Sequence, residues 1–250
     1  MGVMSIYSRS CEKDSLIRSE NIDIDIPGGL KTPERDWYPF VMTFHPGEDF
    51  GYYVGNDCSL TILYNFPAFV PKKGCSMLYD PDSKYYSSFY GAYLVKADDP
   101  DAPYGFETKD GEIIGLREKD VAKVASYDYQ QLVLRDFGLN YKEAVFDFTV
   151  DDERSCGSYA GVDNWFAVDA TLTTNGCAHV KDKFVQSYLQ YGVPKYETDS
   201  PLAPVTMYGR IYGKYFPEKQ TGVFFYIIAA DKEVLQNCDE KLLSKSTLTL

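Results

Sequence analysis

The sequence lacks the motifs that would assign it to a large functional class. It has only two histidines, His45 and His179, and no Cys-x-x-Cys or His-x-x-x-His spacing, so no metal site is predicted. Gly-x-Gly-x-x-Gly, Walker and Gly-x-Ser-x-Gly motifs are also missing, which disfavours dinucleotide, nucleoside-triphosphate and α/β-hydrolase chemistry. We therefore predict a protein without a cofactor.

Basic residues are scarce and nowhere clustered. The chain has 25 Lys and Arg against 37 Asp and Glu, a net charge of −12, and its longest basic run is Lys72-Lys73. An acidic surface repels phosphate groups, so we predict no nucleic-acid partner and no docking on anionic membranes. Long apolar runs are missing as well, because the longest one, residues 223–230, has the length of a strand and not of a membrane span.

The sequence also lacks cysteines at the paired spacings that are typical of disulfide-rich domains. The six cysteines are spread along the chain without a common spacing, and 250 residues can bury a core large enough to fold without disulfides. The first ten residues contain no apolar segment of signal-peptide length. These features predict reduced thiols and a cytoplasmic protein.

Aromatic residues, by contrast, are abundant: the chain has 22 Tyr, 15 Phe and 2 Trp. Many of them fall in segments with the composition or the alternation of β-strands. These segments do not alternate regularly with helices, which disfavours a parallel sheet. We predict an α+β fold in which an antiparallel sheet predominates over three or four helices. The predicted strands are 37–44, 59–66, 84–95, 144–150, 165–173, 205–216 and 222–229.

Three helices stand out. Asp128 is a candidate N-cap for a helix that ends before Gly138, and a second helix is predicted from about Asp182 to Tyr191. The third helix begins after Asp231. It places four apolar residues on one stripe, namely Val234, Leu235, Cys238 and Leu242.

The two halves of the chain share a series of short matches. A Tyr-x-Gly-x-Asp motif at 53–57 recurs at 159–163, and a Tyr-Gly pair at 90–91 recurs at 208–209. Repeats of this kind indicate internal duplication, although Tyr and Gly are common enough here to recur by chance. We predict a single compact domain over residues 1–250, with candidate half-repeats at 37–138 and 144–245.

The Tyr-x-Gly-x-Asp motifs allow two interpretations. In the structural one, which we favour, Gly supplies a positive φ and Asp bonds to its own backbone, so the motif is a turn before a strand. In the functional one, the carboxylates of Asp57 and Asp163 and the rings of Tyr53 and Tyr159 contact a ligand.

Five further candidates for ligand binding lie outside these motifs. A ring with a polar tip suits a half-wet cavity, and the strands that contain Tyr90 and Tyr208 have phenols on their faces. Trp165 opens another strand, Arg210 is close to Tyr208, and His179 precedes a predicted helix. We predict that these residues contribute to one Tyr-lined cleft.

Three functions remain open at this point. The favoured one is binding of a small polar or aromatic ligand in the Tyr-lined cleft. The first alternative is an enzyme, a hydrolase or lyase that uses an Asp or Glu with Tyr or His179, and Cys177 is a weak candidate nucleophile beside that histidine. The second alternative is a protein–protein interaction module with an exposed Tyr-rich sheet, and a homo-oligomer is also open.

Overall fold

The fold is given by a computed structural model, which describes residues 16–28, 36–44, 58–72, 75–97, 105–130, 133, 145–177 and 203–250. Helices are α1 (Leu16–Ser19), α2 (Val121–Tyr127) and α3 (Lys232–Asn237). The strands, in chain order, are β1 (Asp23–Asp25), β2 (Trp37–Phe44), β3 (Cys58–Pro67), β4 (Phe69–Val70), β5 (Cys75–Ser76), β6 (Phe89–Ala97), β7 (Phe106–Lys109), β8 (Glu112–Leu116), β9 (Phe146–Tyr159), β10 (Val162–Asn175), β11 (Pro204–Phe216), β12 (Thr221–Ala229) and β13 (Thr247–Thr249).

Seven of these strands form one sheet in the spatial order β2-β3-β6-β12-β11-β10-β9. All of its neighbouring strands are antiparallel. Three small two-stranded sheets pair β1 with β13, β4 with β5, and β7 with β8. The predicted α+β fold with a predominant antiparallel sheet is therefore confirmed.

The central strands are buried on both faces. Every residue of β12 is buried between β6 and β11. Successive side chains of a strand point to opposite faces, so Phe224 and Tyr226 enter one core while Phe225 and Ile227 enter the other. A strand buried on both faces has to be apolar throughout, which explains the continuous apolar run at 223–230.

One helix packs on each face. The α2 face contains the core of Tyr64, Tyr93 and Tyr226, and α2 packs there against β10 and β11. The α3 face contains the core of Trp165 and Tyr212, which α3 covers with its apolar stripe. Most of the described tyrosine rings therefore fill these two cores.

The helix predicted after Asp231 is confirmed. The Asp231 carboxylate accepts hydrogen bonds from the backbone N–H groups of Glu233 at 2.7 Å and Val234 at 3.2 Å, which is an N-cap. The helix continues as a π-type turn over Cys238–Leu242 and a 3₁₀ turn over Leu243–Lys245. The predicted stripe of Val234, Leu235, Cys238 and Leu242 is buried.

Asp128 does not cap the start of a helix as predicted, because the helix begins earlier, at Val121, and continues past Asp128 as a π-type turn over residues 128–130. Asp128 directly follows α2, and its N–H donates to two carbonyls of that helix. Its carboxylate is buried and bonded to the phenols of Tyr64 and Tyr226, so it does not act as a cap. Asp128 and Gln131, three residues later, have the spacing of a capping box. The Asp128 carboxylate is nevertheless buried against the sheet, so it cannot bond to the backbone N–H groups of a helix start. The helix predicted at 182–191 lies outside the described residues.

The strand predicted from residue 84 begins instead at Phe89. Residues 81–87 form turns, and Ser87 has a left-handed φ of 56°. The remaining predicted strands are found within a few residues of their predicted ends, except that the segment 144–150 begins a much longer strand, β9.

The turn between β9 and β10 is the second Tyr-x-Gly-x-Asp motif. Tyr159 pairs with Val162, and the two residues between them, Ala160 and Gly161, have φ angles of 52° and 79°. Two positive φ angles in a two-residue loop give the hairpin turn that matches strand twist. The motif at 159–163 therefore forms the turn of its structural interpretation, and the copy at 53–57 lies outside the described residues.

The half-repeats 37–138 and 144–245 stay a prediction, as does the single domain. The first contributes β2, β3 and β6 to the sheet as successive neighbours, and the second contributes β9, β10, β11 and β12 in the same manner. The helices that follow, α2 and α3, lie on opposite faces. Strand order thus agrees with a duplication, and helix position does not.

Candidate functional site

Five of the nine predicted site residues lie on the α3 face of the sheet. They are Tyr90, Tyr159, Trp165, Tyr208 and Arg210. Of the other four, Asp163 is exposed at the start of β10, while Tyr53, Asp57 and His179 lie outside the described residues.

A buried carboxylate joins two of these residues to the C-terminal helix. Asp239, in the π-type turn after α3, accepts hydrogen bonds from the hydroxyls of Tyr159 at 2.8 Å and Tyr212 at 2.9 Å. Arg210 Nη1 donates to the same carboxylate at 2.9 Å. The rings of Tyr159 and Tyr212 are stacked with their centroids 3.8 Å apart. We call these four residues the Asp239 cluster, in which a buried acid is fully satisfied by a cation and two phenols.

Arg210 extends this network across the sheet. Its Nε donates to Asp169 on β10 at 2.6 Å, and Arg154 on β9 donates to the same carboxylate at 2.9 Å. Arg154 also bonds to Asp152 at 2.8 Å. Charges of alternating sign thus follow one another over three strands. This network limits the motion of Arg210 and so holds its guanidinium in the position from which it donates to Asp239.

The pKa shifts of Tyr159, Tyr212, Asp169 and Arg210 each favour the ordinary charge of the group near neutral pH. Burial, followed by the charge of Asp239, raises the pKa of both Tyr159 and Tyr212. Burial acts to raise the pKa of Asp169, but hydrogen bonds from Arg210 and Arg154 outweigh it and lower that pKa. The pKa of Arg210 is raised, because its carboxylate partners outweigh the effect of burial. These groups suit a structural role and not proton transfer.

A cleft of about 250 Å³ lies between the C-terminal helix and the aromatic residues around the start of β2. Trp37 and Tyr85 line one wall. Glu233, Asn237 and Lys241 line the helical wall. We call this the Trp37 cleft. Its volume is just below the ~300 Å³ at which small-molecule pockets usually begin, so it suits a ligand of amino-acid size.

The aromatic wall is fixed by its neighbours. The Trp37 ring makes edge contacts with Tyr85 at 5.2 Å and with Tyr90 at 5.0 Å between centroids. The Tyr90 hydroxyl donates to the carbonyl of Pro27 at 2.6 Å, and the Tyr85 hydroxyl donates to Asp36 at 3.1 Å. Tyr90 therefore supports this wall from behind instead of facing the cleft.

The helical wall is fixed at both of its ends. At the start, the Lys232 ammonium lies 4.5 Å above the ring centroid of Tyr208. At the other end, Asp239 binds Tyr159 and Arg210. Four of the predicted site residues therefore position the walls of the Trp37 cleft, although none of them lines it.

A second cleft, of about 240 Å³, lies beside the β9–β10 hairpin. Trp165 lines it together with Cys156, Val121, Lys214 and Tyr215. Trp165 is only 2% exposed, and the Lys214 ammonium donates to the carbonyl of Asn164 at 3.2 Å, so the tryptophan ring and the lysine of this cleft already have partners within the fold. We call this the hairpin cleft.

The described thiols do not form an activated nucleophile. Burial raises the pKa of Cys177 to about 12, and burial also raises the pKa of Cys156 in the hairpin cleft. Cys177 is buried beside Ser87, whose hydroxyl oxygen accepts the Cys177 N–H at 2.7 Å. Within the described ranges, no group of three or more His, Cys, Asp or Glu side chains could hold a metal ion.

Sequence reasoning missed Asp239, Trp37 and Tyr85. Asp239 has a usable signal, since it follows Leu235 by four residues and so lies along the buried side of the predicted helix, where an acid needs a partner. Trp37 and Tyr85 have none, because they meet only through the tertiary fold.

Comparison with protein-family models, curated proteins and solved structures gives no match for this chain. No helix in the described part of the chain is long and apolar enough to cross a membrane. Function is therefore inferred from the geometry of the clefts.

Proposed function

We propose that this protein binds a small aromatic zwitterion, such as an aromatic amino acid, in the Trp37 cleft. The observation that carries the proposal is that the half-buried ring of Tyr85 shares one amino-acid-sized cleft with side chains of both charges. Lys241 in this cleft, unlike Lys214 of the hairpin cleft, forms no hydrogen bond with another described residue. The small polar or aromatic ligand that the sequence predicts would thus bind in the Trp37 cleft.

The aromatic wall would hold the ring of the ligand. Tyr85 is half-buried and supplies the accessible ring, while Trp37 is buried and packs against it in a T-shaped contact. Aromatic pairs contribute about 0.5–1.5 kcal/mol beyond the area that they bury. Because Tyr90 and Pro27 fix the wall from behind, little conformational entropy would be lost on binding.

The charged side chains would hold the two ends of the ligand. Lys241 forms no hydrogen bond or ion pair with another described residue, so its ammonium is available to a carboxylate. Glu233 lies on the same helical wall, where its contact is the amide of Asn237 at 3.5 Å. It is available to an amino group. In a chain with a net charge of −12, an anionic group needs such a local cation to approach.

Calorimetric titration tests this proposal, with tryptophan and phenylalanine as probes and with alanine and indole as probes that lack the ring or the charges. We expect saturable binding of the aromatic amino acids and weaker binding of the other two. Tyr85→Ala should weaken binding at least tenfold, whereas Tyr127→Ala, a matched half-buried tyrosine on the α2 face, should leave it unchanged. Lys241→Ala should weaken binding several-fold, with Lys245→Ala as its control. The absence of saturable binding, or binding that Tyr85→Ala leaves intact, would contradict the proposal.

Catalysis has less support within the described residues. A catalytic acid or base needs a pKa near the working pH and access to a substrate. The described carboxyl with a pKa of about 7 is Asp128, which is fully buried and lines neither cleft.

A further inference from the structure

The buried carboxylate on the α2 face takes no part in the proposed ligand site. Asp128 Oδ2 accepts a hydrogen bond from the Tyr64 hydroxyl at 2.7 Å. The Tyr226 hydroxyl contacts the same oxygen and lies 3.0 Å from the Tyr64 hydroxyl. Asp128 Oδ1 is buried and has no hydrogen-bond partner among the described residues. We call Asp128, Tyr64 and Tyr226 the Asp128 cluster.

The register of the sheet brings the two phenols together. Tyr64 on β3 and Tyr226 on β12 both pair with Gly91 on β6, which lies between them. Because Gly91 has no side chain, the two rings approach each other across β6 to a centroid distance of 5.6 Å. A Cβ at Gly91 would collide with the backbone of β3. Asp128 therefore links α2 to two strands that are not neighbours in the sheet.

Phenols surround this carboxylate. Tyr64 of β3 and Tyr226 of β12 bond to it, and Tyr93 of β6 packs against the Tyr226 ring with a centroid distance of 5.3 Å. On α2 itself the charged residue is Lys123, which is exposed. No cation among the described residues faces Asp128. A carboxylate buried without a cation is unfavourable when ionised and tolerated when neutral.

We propose that the Asp128 cluster is a proton-dependent contact that binds α2 to the sheet more tightly in acid than at neutral pH. In the closed state the buried carboxyl retains its proton, whereas in an opened α2 the solvated carboxyl loses it near pH 4. Opening therefore releases a proton. The opening equilibrium constant of α2 rises by up to about tenfold for each pH unit until the closed state ionises as well, and then it levels off.

The pKa of Asp128 in the closed state sets the upper end of the pH range of this effect. Burial raises the pKa of Asp128 to about 7, against the smaller lowering effect of the two phenol hydrogen bonds. The opening constant should thus rise from about pH 4 to about pH 7 and stay flat above it. Because Val121 of α2 lines the hairpin cleft, opening would also change the shape of that cleft.

Amide hydrogen exchange of α2, corrected for intrinsic exchange rates, tests the proposal between pH 5 and pH 9. In the wild-type chain we expect the opening constant to rise about 50-fold from pH 5 to pH 7 and less than threefold above pH 7.5. Asp128→Asn should remove this dependence. Asp120→Asn, at the other end of the same helix, should retain it.

Tyr64→Phe keeps the test decisive if Asp128→Asn does not fold. This variant removes one hydrogen bond that favours the charged carboxylate, so the pH at which the opening constant levels off should move upward. A wild-type opening constant that does not change with pH would overturn the proposal. The same holds for a dependence that survives in Asp128→Asn or keeps its levelling point in Tyr64→Phe.

Discussion

The two faces of the sheet each contain a buried aspartate that meets two tyrosine hydroxyls. On the α3 face, Asp239 receives a third donor from Arg210. On the α2 face, Asp128 meets only phenols among the described residues, and one of its oxygens has no partner there. The guanidinium is the main difference between the clusters. It compensates for burying a negative charge, whereas phenols alone leave protonation as the way to remove that charge.

The strongest test of this comparison is to remove each acid in turn. Asp239→Asn should lower the free energy of unfolding by about 3 kcal/mol at pH 8, because it removes the negative charge that faces Arg210 and replaces one of the two acceptor oxygens with an NH₂ group that cannot accept. Asp128→Asn should cost less than about 1 kcal/mol at that pH or even stabilise the fold, because it removes an unfavourable buried charge. Urea unfolding measures both, with the exposed Glu240→Gln as a control expected within about 0.5 kcal/mol of wild type. Equal losses in the two Asn variants would show that the cation does not distinguish the clusters.

Removal of the cation should have the next largest effect. Arg210→Met leaves Asp239 partly buried with phenols only, and it also takes a partner from Asp169, so we expect a loss of about 2–3 kcal/mol at neutral pH. Arg154→Met is the matched control, because Arg154 binds the same Asp169 from a more exposed position and should cost about 1 kcal/mol or less. Urea unfolding at pH 7.5 compares the two variants. If they lose equal stability, the Asp239 contact of Arg210 contributes nothing.

The α3 face also shows what sequence patterns can predict. Asp231 was predicted as the start of the C-terminal helix because capping depends on local backbone geometry, and the turn at 159–163 was predicted for the same reason. The continuous apolar run of β12 predicted a strand, although not that both of its faces would be buried.

The Asp128 cluster shows what sequence patterns cannot predict. Asp128 has the spacing of an N-cap but lies inside a helical segment, where α2 passes into a π-type turn over residues 128–130. Its carboxylate bonds instead to Tyr64 and Tyr226, which come from strands about 60 and 100 residues away in sequence. The tyrosine content predicts a ligand-binding role, which stays a prediction, while most of the described tyrosines fill the cores of the two faces. The residues of the Trp37 cleft could not be predicted, since they are assembled by tertiary contacts alone.

Removing single hydroxyl groups should have the smallest effects. These variants compare the Asp239 and Asp128 clusters at the level of one hydrogen bond. Tyr212→Phe should cost about 1 kcal/mol, because Tyr159 and Arg210 still serve Asp239. Tyr64→Phe should cost about 1 kcal/mol at pH 5 and about 2 kcal/mol at pH 8, because an ionised Asp128 depends more strongly on each remaining donor than the neutral acid does.

Urea unfolding at both pH values measures these differences. Tyr208→Phe is the control, since it lies on the same strand as Tyr212 and the contact of its ring with Lys232 does not use the hydroxyl. We expect its stability within about 0.5 kcal/mol of wild type. A Tyr64→Phe cost that is the same at pH 5 and pH 8 would mean that Asp128 does not change its charge in the folded protein over that range. Asp128 would then have to be compensated as completely as Asp239, and the difference between the two faces would lie in their packing alone.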